Sequence, residues 1–116
     1  MTTTAYGESF NGQTINLAVG QTVEIRLPEN PTTGFRWQLM AHDGTVCAMI
    51  SDAFKEPVGS PGRAGEHSWV FEAIQPGGCD IELHYRRRWV RSVEPDRTFR
   101  IHVRVEWTGH GVAPGP

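Results

Sequence analysis

Hydrophobic and polar residues alternate along five short stretches of the chain, at residues 22–27, 35–40, 67–74, 79–86 and 98–107. A period of two is that of a β-strand with one buried face. The chain is also rich in Gly and Pro, with thirteen and eight copies, which is typical of many turns between short strands. These stretches therefore predict a protein built mainly from β-strands.

Other segments carry weaker signals. Residues 45–51 are apolar enough to form a strand, and residues 14–17 alternate weakly. Residues 1–13 are polar and predict loose chain or a marginal first strand. The Gly- and Pro-rich residues 108–116 predict a flexible tail. We therefore expect a single domain over residues 1–107, without helices of useful length.

Strands with one apolar face need a second sheet to cover that face. The pattern thus predicts an all-β sandwich of two antiparallel sheets with about seven to eight strands. If successive strands run antiparallel, the loops at 28–34, 57–66 and 87–97 emerge at the same end of the sandwich. All three have unusual sequences, so we expect a binding surface there.

The first of these loops is a stiff turn that leads directly into a strand. Asn30 can hydrogen-bond its own backbone, and Pro31 fixes φ near −65°. Thr32 and Thr33 are β-branched and therefore stiff, and Gly34 can adopt a positive φ. Taken alone, this chemistry favours an ordinary turn between strands. Its position beside two other unusual loops makes it a candidate binding loop.

Composition limits the classes of partner. The chain has 116 residues, 38% of them hydrophobic and 21% charged, which is typical of one soluble globular domain. A formal net charge of −2 gives no field that favours a polyanion. We expect no membrane partner, because no apolar stretch approaches the length of a membrane helix. The N-terminus lacks the features of a signal peptide, so a full-length chain would be cytoplasmic.

Basic residues nevertheless concentrate near the C-terminal end of the domain. Seven of the eleven lie in one segment: Arg86, Arg87, Arg88, Arg91, Arg97, Arg100 and Arg104. The interpretations are a nucleic-acid face, a solvated strand surface and a patch that complements an acidic surface on a protein partner. Glu82 and Glu106 lie on the same outward faces, which favours the solvated surface, and we expect no nucleic-acid partner.

The remaining reactive side chains suggest no catalytic or metal centre. His84 and His102 could be neighbours on an outer sheet face, but two imidazoles without a third ligand make a poor metal site. No Gly-x-Ser-x-Gly motif places a nucleophile. We therefore expect no enzyme, no metal and no cofactor. Cys47 and Cys79 are expected to be free, buried thiols, and the alternative is a bridge between their strands.

The three loops together resemble those of the chagasin-type inhibitors of cysteine peptidases. Residues 30–34 match that family's Asn-Pro-Thr-Thr-Gly motif, and residues 62–65 match its Gly-x-x-Gly motif. Residues 87–89 match its Arg-Pro-Trp motif, with Arg88 where the family usually has Pro. The first motif is fairly specific and the second is weak alone. Their order, spacing and strand context agree over roughly residues 14–107.

The resemblance implies an immunoglobulin-like sandwich that acts as a monomer and reversibly inhibits a papain-family cysteine peptidase. The residues implied in peptidase binding are Asn30, Pro31, Thr32, Thr33, Gly34, Gly62, Arg63, Ala64, Gly65, Arg87, Arg88 and Trp89. Thr32 and Thr33 would enter the active-site cleft, and Trp89 would anchor the third loop. Arg88 lacks the fixed φ of proline. This departure favours the alternative, a non-inhibitory immunoglobulin-like binding or adhesion module.

Overall fold

A computed structural model describes residues 3–56, 65–87 and 96–107. Over these ranges the chain forms eight strands and two 3-10 helices, Glu8–Phe10 and Pro31–Thr33. The strands are β1 (Thr4–Tyr6), β2 (Thr14–Ala18), β3 (Thr22–Glu29), β4 (Phe35–Ala41), β5 (Cys47–Lys55), β6 (Gly65–Ala73), β7 (Gly77–Arg87) and β8 (Arg97–Glu106). The predicted all-β class and strand number are confirmed. No helix within these ranges is long and apolar enough to cross a membrane.

The strands form two four-stranded sheets in the orders β1-β3-β6-β5 and β2-β8-β7-β4. This is an immunoglobulin-like sandwich, as expected. The prediction of two antiparallel sheets is wrong at the edges, because β1 pairs parallel with β3 and β2 pairs parallel with β8. Neither pair is joined by a hairpin. Both edge strands instead pair with strands reached through longer connections, which permit parallel pairing.

The core lies between the two sheets and comes from the inward positions of the alternating stretches. Trp69, Phe71 and Phe99 are its largest fully buried apolar side chains. The boundaries of β5 differ most from the prediction, because pairing with β6 continues to Lys55 after a bulge between Met49 and Ser51. Most of this edge strand is exposed, so hydrophobic alternation does not mark it.

Strand register brings the strand ends that flank the three predicted loops to one end of the sandwich. Glu29, at the end of β3, lies opposite Gly65, and Lys55, at the end of β5, pairs beside it with β6. In the other sheet, Phe35 at the start of β4 lies opposite Arg87 at the end of β7. For these strand ends, the common end predicted from the sequence is confirmed. We call it the loop end.

Candidate functional site

Residues 30–34, here called the NPTTG loop, contain the 3-10 helix Pro31–Thr33 and are held together by hydrogen bonds of their own side chains. Asn30 Oδ1 accepts hydrogen bonds from the Thr32 backbone N–H at 3.2 Å and from the Thr32 hydroxyl at 2.6 Å. The Thr33 hydroxyl donates to the Asn30 carbonyl at 2.7 Å. Gly34 ends the turn at φ +84°, in the left-handed region that was predicted for it. Thr32 and Thr33 are exposed, and these internal bonds hold the loop in shape without a partner.

A layer of aromatic rings lies beneath this loop. The ring centroid of Tyr85 is 5.3 Å from that of Phe35 and 4.8 Å from that of Trp37. The Tyr85 hydroxyl accepts the backbone N–H of Asn30 at 3.4 Å. Trp37 Nε1 donates to the carbonyl of Pro28 at 2.9 Å. These bonds connect β4 and β7 to the chain on the N-terminal side of the loop.

Two arginines of the basic segment pack on these rings. The Arg87 guanidinium lies 4.7 Å from the centroid of Phe35, and the Arg97 guanidinium lies 5.9 Å from that of Trp37. Arg97 also forms an ion pair with Glu8. Such contacts are cation–π interactions. Part of the basic segment therefore supports the aromatic layer of the loop end, in addition to forming a solvated surface.

A buried carboxylate lies directly before the loop, and the sequence analysis missed it. Glu29 is 0% exposed, and its Oε1 accepts the backbone N–H of Trp37 at 2.7 Å. His67 Nδ1 lies 3.2 Å from each Glu29 oxygen, and its Nε2 contacts Asp52. The imidazole stacks on Trp69 with centroids 4.1 Å apart. The available signal was a glutamate at the inward position that follows Leu27 in β3.

This setting changes the pKa of His67. Burial favours the neutral ring and lowers the pKa, while the hydrogen bonds to Glu29 and Asp52 favour the charged ring. The two carboxylates together outweigh burial, so the pKa of His67 is raised above its ordinary value.

The structure places Gly65 in a strand and not in the second loop. It is the first residue of β6 and is buried. A Cβ at this position would lie 2.5 Å from both the Phe54 ring and the Lys55 carbonyl oxygen, so only glycine fits here without a shift. The prediction of Gly65 as a loop residue is therefore corrected. Gly62, Arg63, Ala64, Arg88 and Trp89 lie outside the described residues.

Cys47 and Cys79 are free and buried, and lie far from the loop end, in opposite sheets. The interaction between the two thiols raises the pKa of Cys47 and lowers the pKa of Cys79. His84 and His102, the two histidines weighed as metal ligands in the sequence, each contact a carboxylate. The partner of His84 is Glu82, and that of His102 is Asp80. Within the described ranges, no group of three His, Cys, Asp or Glu could hold a metal ion.

Comparison with known proteins identifies the family. Residues 16–103 match the model for the chagasin family peptidase inhibitor I42. The chain is 60% identical to chagasin of Trypanosoma cruzi over an alignment of 103 positions that covers 84% of this chain and 94% of chagasin.

Two solved structures share the fold. One is the cysteine protease inhibitor EhICP2 from Entamoeba histolytica, with a TM-score of 0.79, 22% identity, and coverage of 90% of this chain and 97% of that one. The other is PbICP-C in complex with falcipain-2, with a TM-score of 0.68, 18% identity, and coverage of 88% and 98%. The family match spans most of the sandwich, and the family consists of inhibitors and not of enzymes. The chain therefore belongs to the chagasin family of peptidase inhibitors.

Proposed function

We propose that this chain is a reversible, tight-binding inhibitor of papain-family cysteine peptidases and that it occludes the active-site cleft with the loop end. The observation that carries the proposal is the NPTTG loop, in which Thr32 and Thr33 are exposed and already donate hydrogen bonds to Asn30. Family membership supports inhibition. The fold relative bound to falcipain-2, a papain-family cysteine peptidase, supports the class of target.

Thr32 and Thr33 would enter the cleft beside the nucleophilic thiolate of the peptidase. A flexible loop would lose ordering entropy on binding and could settle into a substrate-like pose. The turn bonds of Asn30 and the closing Gly34 reduce both effects, because the loop retains one shape. The five residues of the loop carry no charge, so entry into a cleft desolvates no ion. Inhibition would therefore need no covalent step from this chain.

The other two loops would contact the peptidase on either side of the NPTTG loop. Gly62, beside Arg63 and Ala64, would allow a close backbone approach, with Gly65 holding the end of that loop in β6. Arg87, Arg88 and Trp89 would form the other contact. Trp89 would be its anchor, since large aromatic side chains dominate interface energies.

The test is an inhibition assay of the purified chain against papain and several cathepsin-L-like peptidases. A standard interface of about 800 Å² per partner is enough for roughly nanomolar inhibition when the anchors fit. We expect competitive inhibition, full recovery of peptidase activity on dilution, and an uncut chain by mass spectrometry. Absence of inhibition at high micromolar concentration across the panel would reject the proposal in favour of a non-inhibitory binding module.

A further inference from the structure

A single buried carboxylate joins the two sides of the NPTTG loop. Glu29 is the residue immediately before the loop, and its Oε1 accepts the backbone N–H of Trp37, on the strand that follows the loop. The bond is 2.7 Å long and closed to solvent, since Glu29 is 0% exposed. The carboxylate therefore sets the separation between the end of β3 and the beginning of β4.

The carboxylate is held in turn by the imidazole of His67. Nδ1 of the ring faces both oxygens of Glu29, and Nε2 faces Asp52. Carboxylates accept hydrogen bonds and do not donate them, and a neutral imidazole has only one N–H. Only the doubly protonated ring can donate to both carboxylates at once. The geometry therefore calls for an imidazolium ion.

The groups around the ring come from several elements. The charged ones are Glu29 from β3 and Asp52 from β5. Trp69 of β6 stacks on the ring, and Phe54 of β5 meets it edge to face. Trp37, which donates to Glu29, lies on the opposite sheet with Arg97 of β8 over its own ring. Loss of the proton from His67 would leave Glu29 buried without the cation that faces it, which is a costly state.

We propose that Glu29 and His67 are positioning residues for the NPTTG loop: protonated His67 holds Glu29 on the Trp37 N–H, and deprotonation loosens the loop and weakens inhibition. The part of this inference that concerns inhibition rests on the proposed function. Neither residue needs to touch the peptidase. Their role is to keep the two sides of the loop at a fixed separation.

The direction of the pH dependence follows from linkage. The pKa of His67 is raised in the folded chain above its ordinary value of 6.5. A raised pKa gives a stabilising contribution that is complete below the ordinary value and is lost as pH rises through the folded value. The loop is therefore best held in mildly acidic solution and loosens at alkaline pH.

The first experiment uses the free chain and needs no peptidase. NMR would follow the His67 ring protons and the amides of Thr32, Gly34 and Trp37 across the pH range. We expect the ring to titrate above 6.5 and the three amides to shift with the same midpoint. A ring midpoint at or below 6.5 would overturn the proposal. So would loop amides whose chemical shifts do not change as His67 titrates.

The second experiment compares inhibition constants against one papain-like peptidase at about pH 5.5 and about pH 8.5 for the wild type and variants. The inhibition constant of each variant is divided by that of the wild type at the same pH, so that the peptidase's own titration cancels. His102→Gln is the matched control, because His102 also contacts a carboxylate but lies on the other sheet. Melting curves establish that each variant is folded.

Relative to the wild type, His102→Gln should stay unchanged at both pH values, whereas Glu29→Gln should gain at the higher pH, where the wild type loses the His67 proton. Glu29→Gln keeps an acceptor for the Trp37 N–H without a charge, so it should inhibit well at both values. His67→Gln should inhibit poorly at both. Parallel profiles for all four folded proteins would overturn the proposal. If the wild type inhibits nothing, the proposed function fails, and the NMR experiment still decides whether His67 controls the loop.

Discussion

Two turns on either side of β4 have the same construction, although only one belongs to the proposed binding surface. Asn30 Oδ1 accepts the Thr32 N–H at 3.2 Å and its hydroxyl at 2.6 Å. Asp43 Oδ1 accepts the Thr45 N–H at 2.9 Å and its hydroxyl at 2.6 Å. Both are Asx turns with a threonine two residues on. The turn by itself therefore does not make a binding site.

The two turns differ in charge and in what lies beneath them. Asn30 is neutral, whereas Asp43 carries a carboxylate whose pKa is lowered by hydrogen bonds from Thr45. A carboxylate in a peptidase cleft would have to give up its hydration, and an amide avoids that cost. Below Asn30 lie the aromatic layer and Glu29. The chain after Asp43 continues into the apolar core at Val46. The loop end thus pairs a neutral turn with a buried polar support.

The largest expected effect comes from a β-branched side chain at a glycine with positive φ. Gly34 has φ +84° at the loop end and Gly20 has φ +93° at the other end. Valine at either position should cost about 1–2 kcal/mol of stability. Only Gly34→Val should also weaken inhibition, by about thirtyfold or more, which is the size of an interface hot spot. Inhibition constants and melting curves test this. A folded Gly34→Val protein with unchanged inhibition would mean that loop shape is not what inhibits.

Removal of the Asx side chain should have a smaller effect. Asn30→Ala loses the bonds to Thr32, and we expect about tenfold weaker inhibition and about 1 kcal/mol less stability. Asp43→Ala should lower the melting temperature at neutral pH and leave inhibition unchanged. Because the pKa of Asp43 is lowered, its contribution is present above 3.8 and is lost as pH falls through the folded value. The melting curves of Asp43→Ala and wild type should therefore converge in acid. Equal inhibition by the two alanine variants would remove the distinction between the two turns.

Sequence pattern predicted the parts of this molecule that depend on local alternation. The inner strands, the common end of the three loops and the positive φ of Gly34 all follow from residues close together in the chain. The parallel edge pairs could not be predicted in this way, because β1 and β2 pair with strands that are not their neighbours in sequence. The buried Glu29 was missed for a similar reason. Glutamate is almost never fully buried without a partner, and its partner His67 is 38 residues away.

The two thiols offer a test confined to the end opposite the loops. Cys47→Ser puts a hydroxyl into a fully buried position and should cost about 1–3 kcal/mol of stability. Cys47→Ala adds no polar group and should cost less. Neither variant should alter inhibition, because both leave the loop end intact. Denaturant unfolding and inhibition constants are the measurements. A stable Cys47→Ser protein that inhibits poorly would show that the two ends are coupled.

The smallest expected effect separates the methyl group of Thr32 from its hydroxyl. Thr32→Ser keeps both hydrogen bonds to Asn30 and loses one methyl, so χ1 becomes freer. Side-chain freedom of this size changes inhibition by no more than about threefold. Thr32→Val keeps the branched shape but leaves only the backbone N–H to bond Asn30. It should therefore inhibit less well than Thr32→Ser.

The matched control is Thr45→Ser, in the turn that does not face the peptidase. It retains the same two bonds, to Asp43, and should leave inhibition unchanged. The ranking of the two Thr32 variants carries the information. If valine inhibits better than serine, the methyl group itself fills a site on the peptidase, and shape complementarity outweighs the side-chain hydrogen bond. If serine inhibits better, the hydroxyl acts through Asn30 to hold the turn, and the two turns differ in what they face and not in how they are built.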